Sequence, residues 1–257
     1  MGVMSPRIWL IGGTSESRNI AIAIASHHFR CLITVTTPEA RQLYPVSPYL
    51  EVWVGRITAD SLGEFVQQQG IGGIIDGSHP FATVISENAI AIAHRLQLPY
   101  LRYERPSTDN SKVVYLDSFS TLLQGDYLTN QRVLLAVGAK ALPLFRDWLS
   151  RATLFARILP SINSLTTALE SGIPPQQIIA LRPPYTALFE RALWQQWGIT
   201  LVVTKASGKA GGEDIKQQVA EELGIPLIAI ARPQIDYPQQ CDRLDAVINF
   251  CKGILGD

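Results

Sequence analysis

The sequence predicts an α/β fold of two lobes, each a mostly parallel sheet wrapped by helices. Three observations carry this. Short apolar runs alternate with segments of helical periodicity along the chain. Most connections between them are short, as in serial strand–helix units. Gly- and hydroxyl-rich turns follow several strands, where open parallel sheets bind their ligands.

The first strand is Arg7–Ile11, an apolar run that stops at Gly12-Gly13. A helix is expected over residues 15–28, with Ile20, Ala21, Ile24 and Ala25 on one face. Cys31–Val35 reads as a second strand and residues 51–54 as a third. Leu62, Phe65 and Val66 give the next helical stripe. Residues 73–76 form a fourth strand. Pro80 then opens a helix showing Ile85, Ala89, Ile92, Ala93 and Leu96, because proline suits the first helical turn. Residues 99–102 make a fifth strand.

A polar stretch at residues 104–111, with Pro106, marks a boundary between a dinucleotide-binding lobe at 1–105 and a substrate lobe at 106–257. The alternation then resumes. Strands are expected at 112–116, 132–137, 154–158, 177–181, 200–204 and Leu227–Ile230. Helices are expected between most of them, the clearest at Glu213–Leu223, and a last one at 243–251. These are two Rossmann-like lobes with an interlobe active-site cleft as the expected place for chemistry.

Composition narrows the function. The 257 residues are 47% apolar, enough for a sizeable core. Lys and Arg (22) balance Asp and Glu (22), which argues against a nucleic-acid-binding protein. Cys31, Cys241 and Cys251 are odd in number and widely spaced, so reduced thiols are expected rather than disulfides or a zinc site. No run of 18 apolar residues suggests a membrane span, and the first ten residues lack a signal-peptide pattern. A cytoplasmic protein is expected, with no metal, as a monomer or weak homo-oligomer.

The turn Gly12-Gly13-Thr14-Ser15-Glu16 ends the first strand and starts a helix. Glycines let backbone approach a phosphate, and a helix start offers N–H groups and a positive dipole end. After the second strand stand Thr36, Thr37 and Arg41, where NAD-binding lobes usually place an acid. Hydroxyls with an arginine suit a 2′-phosphate and favour NADP over NAD, although Glu39 points the other way. Gly55-Arg56 follows the third strand and offers a close approach and a cation.

Asp76-Gly77-Ser78-His79-Pro80 ends the fourth strand, on the same sheet edge as the glycine turn. His79 is the catalytic candidate: it is placed to meet a cofactor, donate a proton or hold a carboxylate. Asp76, Ser78 and Pro80 are grouped with the cofactor residues. In the second lobe, Thr204-Lys205-Ala206-Ser207-Gly208-Lys209 combines hydroxyls, glycine and cations, a composition that suits an anion. It is not a P-loop, because Lys209 is followed by Ala210 and Val203 stands at the first glycine position. No short-chain-dehydrogenase Tyr–Lys pair, serine elbow or His-Glu-x-x-His occurs.

Gly12 to Glu16, Asp76 to Ala82, Arg102-Tyr103-Glu104-Arg105-Pro106 and Thr204 to Gly208 together resemble the precorrin-6A reductases of cobalamin biosynthesis, in order and spacing across nearly the whole chain. The resemblance implies two α/β lobes and a nicotinamide cofactor, NADPH with NADH as the alternative. It implies reduction of one macrocycle double bond of precorrin-6A or its cobalt-bearing counterpart. Such a small-molecule corrin precursor carries many carboxylates, so Arg102, Arg105, Lys205, Ser207, Gly208 and Lys209 become substrate candidates, with Lys140 and Arg157 behind them. Hydride transfer needs neither nucleophile nor metal from the protein, in keeping with the missing motifs. Two alternatives stay open: a uroporphyrinogen-III-synthase-like enzyme without a nucleotide, and a non-catalytic nucleotide-binding regulator.

Overall fold

A computed structural model of the chain describes residues 5–104 and 112–256. It divides into two units. One is Met1–Pro106 with Gln234–Asp257, the other Ser107–Pro233. The first unit holds strands β1 (Arg7–Ile11), β2 (Cys31–Val35), β3 (Leu50–Val54), β4 (Ile71–Asp76) and β5 (Tyr100–Tyr103). Its helices are α1 (Ser15–Ser26), α2 (Pro38–Arg41), α3 (Ala59–Gln68) and α4 (Thr83–Leu96). The second unit holds β6 (Val113–Leu116), β7 (Arg132–Ala136), β8 (Thr153–Ile158), β9 (Ile178–Ala180), β10 (Leu201–Lys205) and β11 (Leu227–Ile230). Its helices are α5 (Phe119–Gln124), α6 (Ile162–Glu170), α7 (Ala187–Trp197) and α8 (Glu213–Leu223). The chain then returns to the first unit with β12 (Gln240–Cys241) and α9 (Leu244–Leu255).

The first sheet runs β12-β5-β4-β1-β2-β3, with every pairing parallel. Central parallel strands are covered on both faces, which is why β1 and β2 are apolar apart from Arg7 and Thr34. The two-residue period of β1 sorts its side chains between two core layers. Ile8 and Leu10 pack with Ile20 and Ile24 of α1 and with Val247 and Ile248 of α9. Trp9 and Ile11 pack with Leu62 and Val66 of α3 and with Ala89 and Ile92 of α4. Each such fully buried aliphatic side chain contributes about 1.5–3 kcal/mol.

Two expectations need correction. The substrate lobe was drawn to residue 257, whereas residues 234–257 belong to the first unit. The cause is packing: α9 buries Val247, Ile248 and Cys251 in the first unit's core, and Gln240 and Cys241 pair with Arg102 and Tyr103. The second correction concerns Pro80. It does not open α4, which starts at Thr83. The His79 carbonyl instead accepts the Ala82 N–H at 2.8 Å, so Pro80 sits in a turn ahead of the helix.

The second sheet runs β6-β11-β10-β7-β8-β9, again all parallel. Helices α7 and α8 cover one face through Trp194 and Val219, against Leu134, Val202 and Ala229. The β7–β8 connection is a 3-10 helix, Ala139–Trp148, with Pro143 inside it. Among the described residues no helix is long and apolar enough to cross a membrane. Cys31 and Cys251 are buried and Cys241 partly so, and all three are free of disulfides.

Candidate active site

Strand order decides where each unit can bind a ligand. In the first sheet the chain moves outward from β1 through β2 to β3, then crosses to place β4 on the other side of β1. The carboxyl ends of β1 and β4 therefore flank a topological switch point, the usual ligand crevice of open parallel sheets. Gly12-Gly13-Thr14 follows β1 and Gly77-Ser78-His79 follows β4. The two loops are joined directly. Thr14 Oγ1 donates to the Gly77 carbonyl at 2.7 Å, and the Gly77 N–H donates to the Ile11 carbonyl at 3.1 Å.

The glycine turn is more fully bonded than its sequence suggests. Thr14 and Ser17 form a capping box at the start of α1, so the Thr14 and Ser17 N–H groups are taken. The Gly13 N–H donates to the Tyr44 hydroxyl at 2.8 Å. What the turn presents outward is the α-carbon of Gly13, with φ +103° and nothing within 4 Å of where a Cβ would stand. Beside it lies the exposed Ser15 in the first turn of α1. Glu16 shares that turn and its carboxylate accepts the Ser15 hydroxyl at 3.0 Å. An acid there complements the helix dipole without any ligand.

Thr36 is exposed just past β2. Thr37 caps α2, its Oγ1 accepting the Ala40 N–H at 3.3 Å, and Arg41 ends that helix with its side chain exposed. Past β3, the Gly55 N–H bonds the Val35 carbonyl at 2.9 Å and a Cβ there would meet the Trp53 indole. Arg56 is exposed.

Asp76 and Arg102 hold the β4 loop from beneath. They are register partners on adjacent parallel strands. Asp76 is 0% exposed and Arg102 1%. One carboxylate oxygen accepts from Arg102 Nη1 at 3.0 Å and from the Ser78 N–H at 2.9 Å. The other accepts from the Ser86 hydroxyl at 2.6 Å and the Tyr100 hydroxyl at 2.8 Å. Arg102 also donates to the Ser78 hydroxyl and to Glu104, and lies over the Tyr237 ring. Its charge is spent inside the unit, which is not the open substrate cation expected from the sequence. Burial beside the Asp76 carboxylate raises the Tyr100 hydroxyl far above its ordinary pKa, so it stays protonated and donates. His79 is exposed, and its Nδ1 accepts the Phe81 N–H at 3.2 Å, which puts the ring proton on Nε2. Arg105 lies outside the described residues.

The second unit has its own switch point, between β7 and β10. Lys205 ends β10, and Lys140 lies in the connection that follows β7. Burial lowers the Lys205 pKa, and the charge of Lys140 lowers it further. Ser207 and Gly208 follow. The Gly208 N–H donates to Glu213 at 2.7 Å, and Glu213 also accepts from Tyr115 at 3.2 Å. Lys216, 2% exposed, donates to the Gly211 and Gly212 carbonyls at 2.7 and 3.0 Å. Lys209 is exposed. Arg157 is buried in an ion pair with Glu190 and lies over the Tyr185 ring.

Sequence reasoning missed Tyr44, Ser86, Tyr100, Tyr237, Glu213 and Lys216. Tyr44, Ser86, Tyr100 and Tyr237 act across ten or more positions, which no local motif records, whereas Glu213 and Lys216 bond the glycine loop just before them. Ser17 alone carried a readable signal, the Thr-x-x-Ser spacing of a helix cap.

The chain matches the family described as precorrin-6x reductase CbiJ/CobK over residues 7–252. It is 46% identical over 249 residues to the cobalt-precorrin-6A reductase of Synechocystis sp., covering 95% of each chain. To the cobalt-precorrin-6A reductase of Priestia megaterium it is 34% identical over 252 residues, covering 94% of this chain and 96% of that one. Among solved structures, that of CobK precorrin-6A reductase superposes with a TM-score of 0.79 at 23% identity, covering 98% of this chain and all of that one. That likeness supports the fold.

Proposed function

This chain belongs to the precorrin-6x reductase family, and on that premise we propose that it reduces one double bond of precorrin-6A or cobalt-precorrin-6A, taking the hydride from NADPH in preference to NADH. The family sets aside both the uroporphyrinogen-III-synthase-like alternative and the non-catalytic regulator. One observation carries the dinucleotide reading: at the switch point, Gly13 turns an open α-carbon face outward beside the first turn of α1. A pyrophosphate fits there, since any side chain at position 13 would occupy that space and a φ of +103° would strain it.

When bound, the nicotinamide supplies the hydride, so that one macrocycle carbon gains hydride, its neighbour gains a proton, and the cofactor leaves oxidised. The residues of this chain bind and orient. Gly13 and Ser15 face the phosphates, and Thr36 and Arg41 stand past β2, where the adenosine ribose and its 2′-phosphate are held in such lobes. Asp76 and Arg102 position the Ser78–His79 loop from below. His79, with its N–H on Nε2, is the side chain that would hydrogen-bond at the reacting end, and the proton comes from solvent. In the second unit, burial and the nearby Lys140 charge lower the Lys205 pKa. A substrate carboxylate relieves that repulsion, and Ser207 and Lys209 add donors.

Titration with both dinucleotides tests the proposal. NADPH is expected to bind more tightly, and Arg41→Ala to weaken NADPH about tenfold through loss of a charge-assisted contact. NADH affinity should stay within about twofold of its starting value. Equal affinities with no effect of Arg41→Ala overturn the NADPH preference. No binding of either overturns the dinucleotide reading.

A further inference from the structure

We infer that Tyr44 is a positioning residue of the dinucleotide site, locking the Gly12–Gly13 turn to the β2–β3 connection. The inference rests on the reading of that turn as a dinucleotide site. Tyr44 follows α2 and is 8% exposed, its ring packed in the core layer that holds Ile33 and Val35. Its hydroxyl does two things at once. It accepts the Gly13 N–H at 2.8 Å and lies 2.7 Å from Ser17 Oγ, a member of the α1 cap. Its own N–H donates to the Arg41 carbonyl at 3.2 Å.

The hydroxyl occupies space that only a glycine leaves. A Cβ built on Gly12 would overlap the Tyr44 oxygen and press on Ile33. This also explains why position 12 is glycine although position 13 carries the positive φ. The direction of the bond separates positioning from obstruction. The Gly13 N–H is turned inward to Tyr44, whereas the α-carbon face of Gly13 is open. A phosphate approaching that face does not compete with the phenol. Tyr44 fixes the direction of this part-buried amide, and so holds the turn in the shape that exposes the other side. Its backbone N–H closes the turn after Arg41, so the residue that fixes the glycine turn is joined through the main chain to the segment that follows β2.

The experiment is Tyr44→Phe in the full chain, which keeps the ring and removes only the hydroxyl. The NADPH dissociation constant is expected to rise about threefold to tenfold, the size that follows when a part-buried N–H loses its acceptor. The KM for NADPH should rise in parallel, with kcat at saturating cofactor within about twofold. Hydrogen exchange should quicken in the peptide carrying Gly13 and not in peptides of the second unit. Gly12→Ala, which displaces the hydroxyl while keeping the tyrosine, should give the same binding loss. Unchanged NADPH affinity in both variants overturns the inference while leaving the site reading intact. Tighter binding also overturns it, since the hydroxyl would then be an obstruction. Failure of the unaltered protein to bind NADPH or NADH overturns the site reading and this inference with it, and faster exchange at Gly13 would then mark Tyr44 as a stability residue only.

Discussion

Arg102→Met separates a substrate cation from a buried strut. The substitution keeps an apolar stem of similar length and removes the guanidinium. It strips Asp76 of its cation, and Asp76 is fully buried, 3.0 Å from Arg102 Nη1. Three neutral donors remain on the carboxylate: the Ser78 N–H and the hydroxyls of Ser86 and Tyr100. Glu104 loses one partner as well, but it is 15% exposed and water recovers part of that loss. Removing one member of a buried ion pair costs about 3–5 kcal/mol. For a unit of about 130 residues each kcal/mol lowers the midpoint by roughly 3–4 °C. Scanning calorimetry of the full chain should therefore show the first unit's transition falling by about 10–20 °C, with that of the Ser107–Pro233 unit unmoved. The double variant Asp76→Asn with Arg102→Met should recover at least about 2 kcal/mol of the summed single costs, because the two side chains are directly coupled. A shift below about 3 °C with a raised substrate KM would mean that Arg102 meets the substrate itself. Additive single and double variants would equally refute the strut.

Two further outcomes concern the second unit. Burial, with Arg157 nearby, pushes Lys216 down to about 8 from its ordinary 10.5. Between those values the unfolded chain holds a proton that the folded chain has released, so stability rises with pH through that window. The urea midpoint of the Ser107–Pro233 unit should therefore increase from about pH 7.5 to about pH 9.5, and Lys216→Met should flatten the profile; a flat profile in the unaltered protein would sink the argument. Lys205→Ala should raise the KM for the corrin precursor about tenfold and leave the NADPH dissociation constant within about twofold. Equal losses on both sides would remove Lys205 from the substrate contacts.

Much of the fold was legible in the chain because its signals are local. Strands buried on both faces appear as apolar runs, as at residues 8–11 and Leu227–Ile230. Helices such as α3 and α8 carry their periodicity within a few turns. The glycine turn, the His79 loop and the Lys205 loop all stand at strand ends, and a strand end is readable wherever an apolar run meets glycine or hydroxyls. The pattern failed where an element is too short or too irregular to have a period. The two-residue β12 has none, and the Pro143-bearing 3-10 helix matches neither template.

By itself, then, the sequence determined the α/β class, the parallel pairing and the glycine- and hydroxyl-rich turns that end the strands, since each depends on residues a few positions apart. Tertiary structure alone decided which of those turns meet. The crossover that sets β4 beside β1 joins Thr14 to Gly77 across 63 positions. Strand register puts Asp76 opposite Arg102 and turns an apparent substrate cation into an internal support. The path of the chain after α2 brings the Tyr44 hydroxyl to the Gly13 amide. Such pairings follow from how whole sheets close and bury charge, and neither periodicity nor composition contains that information.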